Sequence, residues 1–257
     1  MRKSKYLILS GFYFDFNDEL SKIIEIKKSF EKQNILDLYR FDDIDNLYIF
    51  KNKNIYFLYL SKIFSAAYNL SFSSNQIKVL DLSQCINLKF KESDFFVENQ
   101  IKYFRFPKNI DTINCNNKIL YSNIDILDLS QCKKLKSIDE YSFFDNEIKY
   151  LDLSKCSKLK NIPYQCFYSN PIKKIKLPKY LENIEGECFF ENEIEILDLS
   201  NYKNLKDIYA EAFQSNKIKN IKLSPSIENI KDCSFDDNKI ESLDLSICNK
   251  ITTIYEN

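Results

Sequence analysis

One motif, N-x-I-x-x-L-x-L and its close variants, recurs every 22 to 24 residues across the last two hundred positions. The fullest copies are IKVLDLSQCINLKF from Ile77, IDILDLSQCKKLKSI from Ile124, IKYLDLSKCSKLKNI from Ile148, IEILDLSNYKNLKDI from Ile194 and IESLDLSICNKITTI from Ile240. Shorter copies lie between them, from Ile101, Ile172 and Ile218. Five units close with an aromatic three residues before an asparagine: Phe143 and Asn146, Phe167 and Asn170, Phe189 and Asn192, Phe213 and Asn216, Phe235 and Asn238. A leucine pattern at this period specifies a solenoid, because one unit cannot bury its own apolar face and must stack on the next.

Within a unit, x-x-L-x-L alternates as a strand does, with the leucines turned to the core. Stacking such units predicts a parallel sheet. A second apolar pair, such as Leu159 with Ile162 or Leu181 with Ile184, follows and carries the chain to the outer side. The closing aromatic is expected in a short helical turn behind the sheet, with asparagine ending the turn. A degenerate unit fits Ile55, Leu58, Leu60, Phe72 and Asn75, and a more decayed one fits from Ile35. Residues 1–54 are therefore expected to be an N-terminal cap that includes this decayed copy, and 55–257 a solenoid of about nine units. In the cap, KYLILSGFYF reads as a strand and residues 17–33 as an amphipathic helix. The chain stops within a repeat at Asn257, so the expectation is either that this edge pairs, for instance by self-association with a second copy, or that the chain is truncated.

Composition narrows the chemistry. Lysine plus arginine and aspartate plus glutamate both number 37, so no net charge favours nucleic acid or an acidic membrane. Histidine is absent, which removes the commonest general base and zinc ligand. Glycine occurs only at Gly11 and Gly186, which is incompatible with phosphate-cradling loops. Six of the eight cysteines fall in register with the repeat, namely Cys85, Cys132, Cys156, Cys248, Cys166 and Cys188. A position recurring once per turn is structural, so buried reduced thiols are expected, with no metal and no cofactor. The start lacks a cleavable apolar leader, which points to the cytoplasm.

The copies resemble the leucine-rich repeat superfamily and, within it, the BspA-type group, with IKLPKYLENIEGECFFEN from Ile172 the nearest in form. The resemblance covers about residues 55–257 and departs where asparagine and other residues replace glycine and cysteine near the closing turn. It implies an α/β-type repeat solenoid, right-handed, with its parallel sheet on the concave face and short helical or irregular turns on the convex side. It also implies a non-enzymatic binding module, and a surface or secreted location is its alternative to the cytoplasm.

The residue between the two leucines points outward. Along the stack this column reads Tyr59, Asp81, Arg105, Asp128, Asp152, Lys176, Asp198, Lys222 and Asp244. Acids and bases alternate except at Asp128 and Asp152, where uncompensated negative charge is expected. The column two residues earlier begins Phe57, Val79, Tyr103, Ile126 and Tyr150, an apolar run of the kind that marks interaction sites. The candidate partner-binding face is thus Phe57, Tyr103, Ile126, Tyr150, Arg105, Asp128 and Asp152, and no catalytic residue is assigned. Two alternatives are a structural or adhesive array joined through the C-terminal edge and an enzyme using Asp15, Asp18, Glu19 or Glu25 near the N-terminus.

Overall fold

A computed structural model describes residues 55, 57–59, 72, 74–85, 99–114 and 123–254, together with the backbone of three strands nearer the N-terminus. Of those, β1 (Tyr6–Leu9) and β2 (Phe12–Asp15) pair antiparallel, so the segment KYLILSGFYF is two strands rather than one. β3 (Ile35–Asp37) pairs parallel with β4 (Phe57–Tyr59), and the register sets Leu36 beside Leu58. One strand thus extends the front row N-terminally, with Ile35 in the column of Phe57. The helix expected over 17–33 lies outside the described residues.

The repeated x-L-x triplets form the front strands: β5 (Val79–Asp81), β6 (Tyr103–Arg105), β8 (Ile126–Asp128), β10 (Tyr150–Asp152), β12 (Lys174–Lys176), β14 (Ile196–Asp198) and β16 (Asn220–Lys222). A second row comes from the later apolar pairs: β7 (Thr112–Ile113), β9 (Ser137–Ile138), β11 (Asn161–Ile162), β13 (Asn183–Ile184), β15 (Asp207–Ile208), β17 (Asn229–Ile230) and β18 (Thr253–Ile254). Both rows are parallel. The second row runs unbroken from β11 to β18, whereas the front row divides into β3–β4–β5–β6–β8, then β10–β12, then β14–β16. The fold is a parallel-strand β-solenoid.

Leu151, Leu153, Leu197 and Leu199 are all buried, as the repeat register requires. Behind them the closing phenylalanines stack in one column. Phe143, Phe167, Phe189, Phe213 and Phe235 follow each other at centroid spacings of 5.3, 5.6, 5.3 and 5.7 Å with planes within 11°. These distances slightly exceed the spacing of adjacent strands, so the rings transmit the backbone repeat through the core. Cys132, Cys156, Cys166 and Cys188 are free and buried. Burial pushes the Cys132 and Cys156 thiols up to about 12 and those of Cys166 and Cys188 well above the ordinary value.

The expected helical turns are not formed: no helix occurs among the described residues. The closing turns are the irregular kind and the α/β description is not confirmed, for a local reason. Each closing segment carries two residues of positive φ four apart, such as Tyr141 with Asp145, Gln165 with Ser169, Glu187 with Glu191 and Glu211 with Ser215. Left-handed residues at that spacing break the right-handed run a helix needs. The backbone instead bonds across turns, with the N–H groups of Glu187, Phe189 and Glu191 donating to the carbonyls of Ala210, Ala212 and Gln214 at 2.9 to 3.1 Å.

The closing asparagine does more than end a turn. Asn170 Oδ1 accepts the Ile148 N–H at 3.2 Å, while its Nδ2 donates to the carbonyls of Phe143 at 2.8 Å and Phe167 at 3.3 Å. Asn192 and Asn216 repeat this with Ile172 and Phe167, and with Ile194 and Phe189. Buried backbone groups need partners, and a side-chain amide supplies a donor and an acceptor from one atom set. Each asparagine thus staples its own turn to the one before.

Candidate protein-interaction face

The strand backbone fixes which side chains face outward, because successive residues alternate. Ile126 is 57% and Tyr150 45% exposed, while Val79 and Tyr103 are half-buried and the intervening Leu80, Phe104, Leu127 and Leu151 are buried. Tyr103, Ile126 and Tyr150 therefore lie on one face as expected. Phe57 pairs with Val79 through its backbone, and its side chain lies outside the described residues. Ile196, two strands beyond Tyr150, is the most open at 66%.

The charged column corrects one expectation. Asp128 and Asp152 are not left uncompensated, because each turns to a different base. Arg105 Nε lies 3.1 Å from Asp128, and its Nη1 lies 3.7 Å from Asp81. Asp152 pairs with Lys176 at 3.5 Å and Asp198 with Lys222 at 3.9 Å. These pairs fall only within hydrogen-bonded strand groups, so Asp81, Arg105 and Asp128 form one set, Asp152 with Lys176 a second and Asp198 with Lys222 a third. Neither Asp128 with Asp152 nor Lys176 with Asp198 is joined, and the front row opens at those two places. Side chains this exposed contribute about 1 kcal/mol per pair at most.

The aspartates also shape the strand ends. In the D-L-S sequence the carboxylate accepts the N–H of the serine two residues on, at 2.8 Å for Asp81 and Ser83, 2.9 Å for Asp128 and Ser130, and 2.9 Å for Asp152 and Ser154. This turn chemistry explains why aspartate recurs in the long units, a reason that charge alternation alone does not give. Burial opposes ionisation of Asp128, but the Ser130 hydrogen bonds, Arg105 and Tyr103 outweigh it and hold the carboxyl below its ordinary value. At Asp152 burial is likewise outweighed, by Ser154, Tyr150 and Lys176.

Both tyrosines are held in place. The Tyr103 hydroxyl donates to Asp128 at 3.1 Å and that of Tyr150 to Asp152 at 3.2 Å, with Lys176 Nζ 5.7 Å from the Tyr150 ring centroid. Burial, with Asp128 close by, pushes the Tyr103 hydroxyl up to about 12. The face thus presents two anchored rings and an isoleucine beside aspartates whose charges are partly screened. Among the described residues no group of side chains is placed to hold a metal ion, and no helix is long and apolar enough to cross a membrane.

No curated protein matches the chain. Residues 136–257 match, in six copies, the family described as BspA type leucine rich repeat region. That segment carries the unbroken second sheet from β11, the phenylalanine column and the asparagine ladder, each in register with the sequence motif. Residues 136–257 are a BspA-type leucine-rich repeat region.

Proposed function

We propose that this protein is a non-enzymatic binding module that engages a partner protein through the front face around Tyr103, Ile126 and Tyr150, with Arg105, Asp128 and Asp152 as its polar complement. Repeat solenoids of this family are commonly protein-interaction or adhesion modules. The observation that carries the assignment is the run of outward apolar side chains on neighbouring strands, with Ile126 and Tyr150 open to solvent. Tyrosines already fixed by hydrogen bonds lose little rotamer freedom on binding, which favours them as anchors.

The test starts from a partner captured by cross-linking in the native cell and purified. Tyr150→Ala and Ile126→Ala should each weaken its affinity by about fivefold or more, equivalent to about 1 kcal/mol, with the melting temperature almost unchanged. The polar contribution is tested with Asp152→Asn, because asparagine keeps an acceptor for the Ser154 N–H while removing the charge. Its effect should fade at high salt. Affinity equal to that of Lys222→Ala in all three folded variants would remove this face from consideration.

A further inference from the structure

Strands β12 and β14 are neighbours along the front face but do not pair, since β12 bonds only to β10 and β14 only to β16. Between them lies a cavity of about 470 Å³ with Ile175, Leu177 and Leu197 as its floor and Lys174, Asp198 and Tyr202 at its margins. Tyr202 occupies the position that Cys85, Cys132, Cys156 and Cys248 fill in other units. Its hydroxyl accepts the Leu177 N–H at 3.1 Å. In equivalent turns that N–H goes to the next strand: Leu82 donates to Arg105, Leu153 to Lys176 and Leu199 to Lys222, at 2.7 to 2.9 Å. A phenol therefore takes the bond that would draw β14 against β12. The opening between β8 and β10 has Cys156 at this position, and there Leu127 and Leu151 stay buried. At the second opening, beside Tyr202, Ile175 is instead partly exposed.

The banks of this cleft carry strand-pairing groups. In paired turns the outward residues direct their backbone to the preceding strand, as Tyr103 N–H does to Lys78, and the core residues to the following one, as Leu82 does. By that rule Ile175 N–H and C=O face the cleft from one bank, and Ile196 C=O and Asp198 N–H face it from the other. We propose that the cleft receives an extended segment of a partner protein as an added parallel strand between β12 and β14. The cleft begins just after the Glu193 N–H to Ile172 C=O bond at 3.0 Å, so the added strand is short, about three residues long. The side chains it selects follow from the lining. The middle residue is aliphatic, to cover Ile175 and Leu197. The first is acidic, because Lys173 and Lys176 pair with Glu193 and Asp152 while Lys174 makes no ion pair among the described residues. The third is small and neutral, since Asp198 already faces Lys222. The proposal rests on the protein-binding assignment above but places the contact at a different part of the face.

The probe is the blocked peptide acetyl-Thr-Glu-Val-Thr-Lys-amide at millimolar concentration, with a control in which lysine replaces the glutamate. Backbone amide spectra should show saturable shifts at Ile175, Ile196 and Asp198, and exchange of the Ile175 and Asp198 amides should slow at least tenfold at saturation. The control should bind at least fivefold more weakly. Lys174→Glu, at an exposed site, should reverse the preference between the two peptides, and Tyr202→Cys, which restores the residue of the other units, should narrow the cleft to an opening like that between β8 and β10 and abolish the shifts. Absence of saturable shifts, shifts confined to Tyr103, Ile126 and Tyr150, or an unchanged preference in Lys174→Glu would overturn the proposal. Loss of partner affinity in Ile126→Ala together with no peptide binding would sink only the cleft. Peptide binding at the cleft with full affinity in Ile126→Ala would sink only the front-face assignment.

Discussion

Asn170 offers the sharpest test of what holds adjacent turns together. It is 2% exposed, and its amide serves the Ile148 N–H and the carbonyls of Phe143, Phe167 and Tyr168, at distances from 2.8 to 3.3 Å. Asn170→Ala removes that donor and acceptor together. The Ile148 N–H then has no partner, and the Phe143 carbonyl loses the amide that capped it from the next turn. A buried group left unsatisfied costs about 1 to 3 kcal/mol, so the variant should lose about 3 to 5 kcal/mol in urea unfolding. Asn170→Asp separates chemistry from shape. Its carboxylate keeps the acceptor but sets negative charge against three carbonyls, so it should be at least as destabilising as alanine at pH 7. Acidification through the raised pKa of that carboxyl supplies an O–H donor, and part of the loss should return as the pH falls. Asn201→Ala, at an exposed turn residue, is the control and should stay within about 0.5 kcal/mol. A loss below 1 kcal/mol in Asn170→Ala with an unchanged denaturant slope, or an aspartate variant as stable as wild type, would refute the stapling role.

Leu151→Ala should cost 2 to 5 kcal/mol by cavity formation. Leu197→Ala, which borders the cleft beside Tyr202, should fall toward the lower end of that range, and a loss below half a kcal/mol at Leu151 would contradict the repeat register. Glu191 is exposed with φ of 51°, a conformation that costs a side-chain-bearing residue about 1 to 2 kcal/mol and glycine little. Glu191→Gly should therefore raise the urea midpoint, by roughly half a kcal/mol after glycine's larger entropy loss, and a clear fall would refute the strain argument. Burial raises the thiols of Cys85, Cys132 and Cys156 from 9.0 to about 12, so the folded state holds their protons more tightly than the unfolded chain does. The associated stability is complete below pH 9 and is lost as pH rises from 9 through 12, at about 1.4 kcal/mol per thiol by pH 10. Thermal melts between pH 8 and 10.5 at constant ionic strength should record the decline, and a flat profile would show that the thiols are accessible.

The repeat by itself determined the strand positions, the inward leucines, the buried thiols and the outward alignment of Tyr103, Ile126 and Tyr150, because a period near 23 combined with an alternation of two leaves one register that buries every leucine. It also held the aspartates and lysines of the front column in order, but not their pairing. Pairing depended on which strands bond to which, and so Asp128 turned to Arg105 and Asp152 to Lys176, on either side of a break that the motif does not mark. The closing segments were misread as helical because E-x-F-F-E and similar runs favour a helix locally. Tertiary structure overrode that preference: carbonyls of the next turn stood ready for the N–H groups of Glu187, Phe189 and Glu191, and the chain took left-handed residues to reach them. Asn170 looked like a turn residue because its partners, Ile148 and Phe143, lie 22 and 27 residues away and meet it only once the turns are stacked. Tyr202 stands where other long units carry cysteine, and only the stack shows its hydroxyl accepting the N–H of Leu177, 25 residues back.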